Sequence, residues 1–239
     1  MNKKYDLIEC EALKLVKIGK ELCLIDTGSP FSFFSLGKIT IDGITFKNEF
    51  FEEILKQRLM ELNEYNKESF KAKITGIIGN DIILNLGITI NKKEGYVIFN
   101  SNILDNGLNL DFIVKEIEKQ KYIVFKELKL KGVTSEGMHS FVLDTGALVS
   151  TFRWNLCCHA QYAYRASYYY PALGAMMTSD FMFFNLEGNN KIDIIASKNI
   201  NNIIDEQFDF IGVDGELCFH DVSYDVLSIN PRSNKIYWK

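Results

Sequence analysis

The run Leu22-Cys23-Leu24-Ile25-Asp26-Thr27-Gly28, LCLIDTG, is answered later in the chain by Phe141-Val142-Leu143-Asp144-Thr145-Gly146, FVLDTG, and this repetition decides the reading of the fold. In both copies a strand-forming apolar run leads into a short loop whose first residue is a carboxylate. A single Asp-Thr-Gly is an ordinary turn sequence, because Asp and Thr bond to nearby backbone and Gly accepts a tight bend. Two copies with matching approaches point instead to two related lobes, each presenting one Asp. Each copy is also followed by two apolar residues, a Gly and, two positions on, an Asp: Ile77-Ile78-Gly79-Asn80-Asp81 and Phe210-Ile211-Gly212-Val213-Asp214. Each half then closes on a strand pair around a polar turn, GITINKKEGYVIF at 87 to 99 and DVLSINPRSNKIYWK at 225 to 239.

Working outward, residues 1–105 form an N-terminal lobe, and residues 106–239 a linker helix followed by the C-terminal lobe. The β-rich runs Leu22 to Ile25, Ile39 to Ile41, Ile44 to Phe46, Tyr122 to Phe125 and Phe141 to Leu143 are separated by Gly, Asp and Asn turns, so the fold is expected to be mainly β. Asp42-Gly43 inside ITIDGITF predicts a hairpin. Two stretches read as helical. Phe50, Phe51, Ile54, Leu55, Leu59 and Leu62 recur near helical spacing, and LDFIVKEIEKQ at 110 to 120 supplies the linker. Both are expected to serve packing or linkage rather than chemistry.

The composition restricts the function classes. With 239 residues, 47% of them hydrophobic, the chain is long and apolar enough to bury a core. A formal charge of -4 leaves no basic surplus for a phosphate backbone, so no nucleic-acid partner is expected. No segment approaches the roughly 20 apolar residues that a membrane-spanning helix needs. The N-terminus mixes charge into every few residues, unlike a secretory signal. Five cysteines, Cys10, Cys23, Cys157, Cys158 and Cys218, are an odd number without regular spacing, and predict reduced thiols in a cytoplasm.

Two close carboxylates cannot both ionise easily, so one keeps a proton and can act as an acid while the other acts as a base. Their titration then belongs to the pair. Asp26 and Asp144 are the candidate pair. Gly28 and Gly146 permit tight turns, and Thr27 and Thr145 are placed to lock the two loops together.

With these motifs the sequence resembles the pepsin and retropepsin superfamily of aspartic peptidases. The resemblance spans both halves in order, although only the motif blocks match well, and GIIGNDIILNLGITI is its most retroviral-like stretch. It implies a bilobal acid-protease fold with pseudo-twofold symmetry and a few helices. Asp26 and Asp144 would be catalytic, activating water for direct attack on a peptide bond without metal or other cofactor. It also implies that Ile78, Gly79, Ile211 and Gly212 thread beneath the loops in psi-shaped motifs, and that a polypeptide substrate lies extended between the lobes.

The lobes are much shorter than those of pepsins, so the chain looks like two fused retropepsin-like units, complete as a monomer. The first loop continues with Ser29-Pro30 and the second with Ala147-Leu148. Donation from the Ser29 hydroxyl to Asp26 would favour its ionised form and leave Asp144 with the shared proton. A flap is expected in SYYYPALGAMM at 167 to 177, where Tyr169, Tyr170, Leu173 and Gly174 are candidates for closure or specificity, with ITIDGITF as the rival. Core or surface packing is the competing reading of that Tyr- and Met-rich stretch. Few residues precede the first Asp strand, so a pepsin-like pro-segment is not expected.

Cys157-Cys158-His159 has no second ligand pair at suitable spacing, and His139, His159 and His220 lie in no HExxH or triad context. Asp81 and Asp214 read as loop braces. The alternative function is a peptidase-like peptide-binding or regulatory module whose cleft is restrained, controlled by a protein partner or an internal plug.

Overall fold

A computed structural model describes residues 3–49, 52–68, 70, 72–99, 107–131, 137–170, 173–188, 190–220 and 222–239. Among them, strands form a ten-stranded sheet, an eight-stranded sheet and a separate two-stranded ribbon, so the fold is mainly β. The first sheet begins as an antiparallel meander of Tyr5–Cys10, Leu13–Ile18 and Glu21–Ile25. Leu15, Val16, Cys23 and Ile25 are fully enclosed, so these strands are covered on both faces. That is why their sequences read as apolar runs rather than as strict alternation.

One three-strand unit occurs twice. Strand Glu21–Ile25 pairs in parallel with Gly76–Ile78 in the register Ile25 to Ile78, and Gly76–Ile78 pairs antiparallel with Phe33–Phe34. In the eight-stranded sheet, Met138–Leu143 pairs in parallel with Gly215–Leu217 in the register Leu143 to Leu217, and Gly215–Leu217 pairs antiparallel with Ser150–Phe152. The backbone N–H of Asp26 donates to the Ile78 carbonyl at 3.0 Å, and that of Asp144 to the Leu217 carbonyl at 2.9 Å. The first threading segment is therefore where the sequence places it, around Ile78 and Gly79.

The second is not. Ile211 ends a helix and Gly212, at φ 70°, is its left-handed cap, while the segment beneath Asp144 is Gly215-Glu216-Leu217-Cys218. Two apolar residues before Gly are also a helix-stop signal, and here that signal is the one the chain uses. Glu216 occupies the place of Ile77, and Cys218 that of Gly79, so the true segment lacks the apolar-apolar-Gly pattern.

The linker helix is likewise replaced. Leu108–Asp111 pairs with Lys235–Trp238, and Ile113–Ile117 forms a hairpin with Gln120–Lys131 across Glu118 and Lys119, both at positive φ. The apolar positions of this stretch suit either period. Pairing with strongly strand-forming neighbours settles the outcome. The closing hairpins, Ile88–Asn91 with Tyr96–Phe99 and Val226–Asn230 with Lys235–Trp238, form as the sequence predicts. They also pair with each other, Thr89 opposite Ser228 with their hydroxyls 2.5 Å apart. The C-terminal hairpin thus completes the first sheet, and a division at residue 105 separates the chain but not the sheets.

Four helices complete the described structure. These are α1 (Glu52–Asn66), α2 (Asn80–Leu86), the single turn α3 (Trp154–Cys157) and α4 (Asn202–Ile211). The predicted apolar stripe of α1 buries Leu55, Leu59 and Leu62 against Leu13, Leu15, Leu24 and Ile77, while Phe50 and Phe51 lie outside the described residues. α4 is delimited by Asn201, whose side chain accepts from the Ile203 N–H, and by Gly212. Among the described residues no helix is long and apolar enough to cross a membrane.

Candidate active site

Both Asp-Thr-Gly loops leave the C-terminal ends of enclosed strands and meet. The two threonines interlock them. The Thr27 N–H donates to the Thr145 hydroxyl at 3.1 Å and the Thr145 N–H to the Thr27 hydroxyl at 2.9 Å, across 118 residues of chain. Each hydroxyl then donates onward, Thr27 to the Leu143 carbonyl and Thr145 to the Ile25 carbonyl, both at 2.9 Å. All four bonds are buried, so the positions of the two loops are fixed relative to each other, as the sequence suggests.

Thr27→Val keeps the shape but leaves the Thr145 N–H and the Leu143 carbonyl without that partner. Expected is a loss of about 2–4 kcal/mol, a fall in Tm of roughly 4–16 °C, with Thr27→Ser staying near wild type in the same thermal scan.

The interlock brings Asp26 and Asp144 together so that their carboxyls hydrogen-bond to each other. Asp26 Oδ1 accepts the backbone N–H groups of Gly28 at 2.9 Å and Ser29 at 3.1 Å. Asp144 Oδ1 accepts those of Gly146 at 2.9 Å and Ala147 at 3.0 Å. Neither Gly28 nor Gly146 adopts a positive φ, so the tight turn is not what requires them. Each packs against the opposite carboxyl. A Cβ on Gly28 would lie 2.6 Å from Asp144 Oδ1, and one on Gly146 2.6 Å from Asp26 Oδ1.

The expected Ser29 contact is absent, because its hydroxyl donates to the Phe31 carbonyl at 2.7 Å and only its backbone N–H reaches Asp26. The backbone donors are matched on the two sides, so the inequality of the pair arises elsewhere. Burial pushes both carboxyls up. Asp144 goes well above the usual carboxylate range because the negative charges of Asp26 and Glu216 add to its desolvation. Asp26 rises less, being opposed by hydrogen bonds and by the positive charge of Arg58. Asp144 is thus pushed up further than Asp26, with Glu216 adding to the inequality and Arg58 opposing the rise of Asp26.

The pair lines a cavity of about 490 Å³, within the roughly 300–1,000 Å³ common for ligand sites. Leu55, Arg58 and Leu59 of α1 form one wall, and Gln207 and Phe208 of α4 contribute to another. The sequence assigned α1 to packing. It packs and also lines the cavity, because the face that buries Leu55 and Leu59 points the same way.

The predicted flap stretch is a hairpin, Gln161–Tyr170 with Ala175–Glu187, while Pro171 lies outside the described residues. Its members part company. Tyr170 lines the cavity, and its hydroxyl donates to Glu216 Oε2 at 3.1 Å. Tyr169 stacks on Tyr65 of α1 with ring centroids 4.4 Å apart, tying the hairpin to the first half. Gly174 bends the tip at φ 60° against Glu61 of α1, and Leu173 packs on the apolar cluster around Tyr168 and Phe208. The rival ITIDGITF forms the two-stranded ribbon with Asp42 and Gly43 both at positive φ, but its turn is held by the Tyr5 hydroxyl and it does not line the cavity.

Asp81 and Asp214 brace loops by different routes. Asp81 Oδ1 accepts from the Ser32 hydroxyl, which itself accepts the Gly79 N–H. Asp214 accepts the Ser140 N–H. Cys157 is buried and Cys158 exposed, both free thiols. Arg58, Tyr122 and Glu216 line the cavity unannounced by any motif. Only the doubled Asp-Thr-Gly frame, threaded correctly, would have pointed to Glu216.

No family model matches the chain, and no curated protein matches it.

Proposed function

We propose that this chain is an aspartic endopeptidase of the pepsin and retropepsin kind, a compact bilobal single-chain member built from two retropepsin-like halves. The observation that carries the proposal is the carboxyl pair of Asp26 and Asp144, held face to face by cross-locked loops in the wall of a peptide-sized cavity. Both loops come from one chain, so no second copy is needed to build the pair.

In the proposed reaction, ionised Asp26 takes a proton from a water molecule as its oxygen attacks the scissile carbonyl carbon. Asp144 gives its proton to the carbonyl oxygen. Collapse of the resulting diol returns a proton to Asp144, while Asp26 delivers its proton to the amide nitrogen and the C–N bond breaks. No metal and no covalent intermediate is required. The substrate lies extended between α1, α4 and the Tyr170 hairpin. The thiols, four of them buried and none in a disulfide, fit a cytoplasmic setting.

The test is cleavage of a peptide library from acidic to neutral pH, read by mass spectrometry. Turnover requires one proton in the pair, so the rate profile is a bell. Its alkaline limb reports loss of the Asp144 proton and lies well above the ordinary carboxylate range. An alkaline limb at ordinary aspartate pKa contradicts the assignment of roles.

One observation favours the alternative, a restrained peptide-binding module: the Tyr65–Tyr169 stack bridges the two halves of the chain. A peptide mimic with a hydroxyl in place of the scissile carbonyl separates the readings. Tight binding supports the open catalytic site, and failure to bind, with protein partners still captured, supports the module.

A further inference from the structure

Glu216 is a further acid in the cavity, and it sits where the first half of the chain has an apolar residue. Strand Gly215–Leu217 places it opposite Val142 on one side and Thr151 on the other, as Gly76–Ile78 places Ile77 between Leu24 and Phe33. Its side chain lines the cavity beside Asp144 and Tyr170, yet the residue is only 6% exposed. Oε2 accepts the Tyr170 hydroxyl at 3.1 Å, and Thr151 stands beside the residue on the paired strand. Oε1 is buried and has no hydrogen-bond partner.

A buried carboxyl oxygen with no partner is costly, and the ordinary compensation is a donor or a cation. Among the described residues no Lys or Arg forms an ion pair with Glu216. The cavity's Arg58 acts on Asp26 and Tyr122 instead. The other charged or titratable groups lining the cavity, Asp26, Asp144, Glu206, Tyr122 and Tyr170, bring no positive charge. Tyr170 stays protonated, its hydroxyl pushed well above 10 by burial and by Glu216, so it donates to the carboxylate while its oxygen remains free to accept. One wall of the cavity is thus apolar at Ile77, and the opposite one presents an unmatched acid.

We propose that Glu216, with Tyr170, forms a subsite that takes a basic side chain, Lys or Arg, of the substrate peptide on the Asp144 side of the scissile bond. The inference rests on the peptidase reading for its orientation but not for its ligand chemistry. An ammonium or guanidinium group in the cavity donates to the carboxylate, whose Oε1 has no donor of its own. It also supplies the charge that the pocket lacks. Burial pushes Glu216 up to about 7, so its preference for a cation strengthens as pH rises from acidic to neutral.

The experiment uses matched peptides that differ only in Lys or uncharged norleucine at each position flanking the bond. They are assayed with the wild-type chain, Glu216→Gln and Glu216→Leu, and thermal scans confirm that each variant is folded. The wild type is expected to favour Lys at one position by about tenfold or more in kcat/KM. Glu216→Gln should bring the ratio near one, and Glu216→Leu should invert it. The same peptide pairs, made with a hydroxyl in place of the scissile carbonyl, are measured by equilibrium binding.

Cleavage with no Lys preference, or with one unchanged in Glu216→Gln, overturns the subsite and leaves the peptidase standing. Absence of cleavage together with Glu216-dependent, Lys-selective binding keeps the subsite and removes the peptidase. Neither cleavage nor binding overturns both.

Discussion

Asp144→Asn lowers peptide turnover by about 10⁴-fold, the scale on which a positioned acid-base group acts, and at pH 8 it raises the melting temperature. The first effect follows from the proton. Asn cannot hand a proton to the scissile carbonyl, although its carbonyl oxygen still accepts the Gly146 and Ala147 N–H groups, so the loop keeps its shape. The second follows from burial. Asp144 and Glu216 both have folded-state pKa values above their unfolded ones, Glu216 at about 7 against 4.5. Such groups stabilise the fold fully below the unfolded pKa, and that contribution is lost as pH rises through the folded pKa. The native protein therefore weakens from about pH 5 to pH 8 as these acids are forced to ionise. Asn removes one of them, and relieves Asp26 and Glu216 of its charge. The gain is present at pH 8 and shrinks towards acid pH. Thermal scans at pH 5 and pH 8 beside the peptide assay read both effects. A variant that is inactive and also less stable at pH 8 would mean that the lost activity reports misfolding rather than a lost proton.

The stability argument depends on Glu216, and its concealment in the sequence shows where pattern reading reaches its limit. The Asp-Thr-Gly loops are legible because their chemistry is local. Carboxylate, hydroxyl and side-chain-free Gly are adjacent in the chain, and the interlocked threonines follow from two copies of three residues. The first threading segment is legible for the same reason, as Gly79 must pass close to the Ser29 and Phe31 carbonyls. In the second half the close approach falls at Gly215, against the Thr151 carbonyl and the Phe152 ring, and the residue that follows is charged. A pattern of two apolar residues and Gly slides past it to the end of α4. The hairpin at 113 to 131 is hidden differently. Its apolar spacing fits a helix as well as a strand, and Gln120–Lys131 is held in the sheet by Met138–Leu143 and by the more remote Ala175–Glu187. Arg58 is invisible because a cation on an amphipathic helix reads as a solvated face until the helix is seen beside the cavity.

Gly28→Ala is expected to cost about 10²–10³-fold in turnover, the scale associated with displacing a reacting group by roughly 1 Å, although nothing in the backbone conformation forbids Ala there. The added methyl would sit 2.6 Å from Asp144 Oδ1. That oxygen cannot withdraw freely, because the Gly146 and Ala147 N–H groups hold it at 2.9 and 3.0 Å. Either those bonds break or the two loops separate, and separation strains the bonds between Thr27 and Thr145. Gly146→Ala meets Asp26 at the same distance and should have the same effect. The double variant should fall short of the product of the two, since both widen one gap. Gly19→Ala is the informative contrast. Gly19 has φ 62° and nothing within 4 Å of a Cβ, so Ala there strains only the turn between two strands. It should cost about 1 kcal/mol of stability and leave kcat unchanged. Measuring kcat and Tm for the three single variants separates the two requirements for glycine, space between opposing carboxyls in the loops and a left-handed backbone in the turn. Comparable kcat in Gly28→Ala and wild type would show that the loops tolerate a wider spacing of the pair than its hydrogen bonds imply.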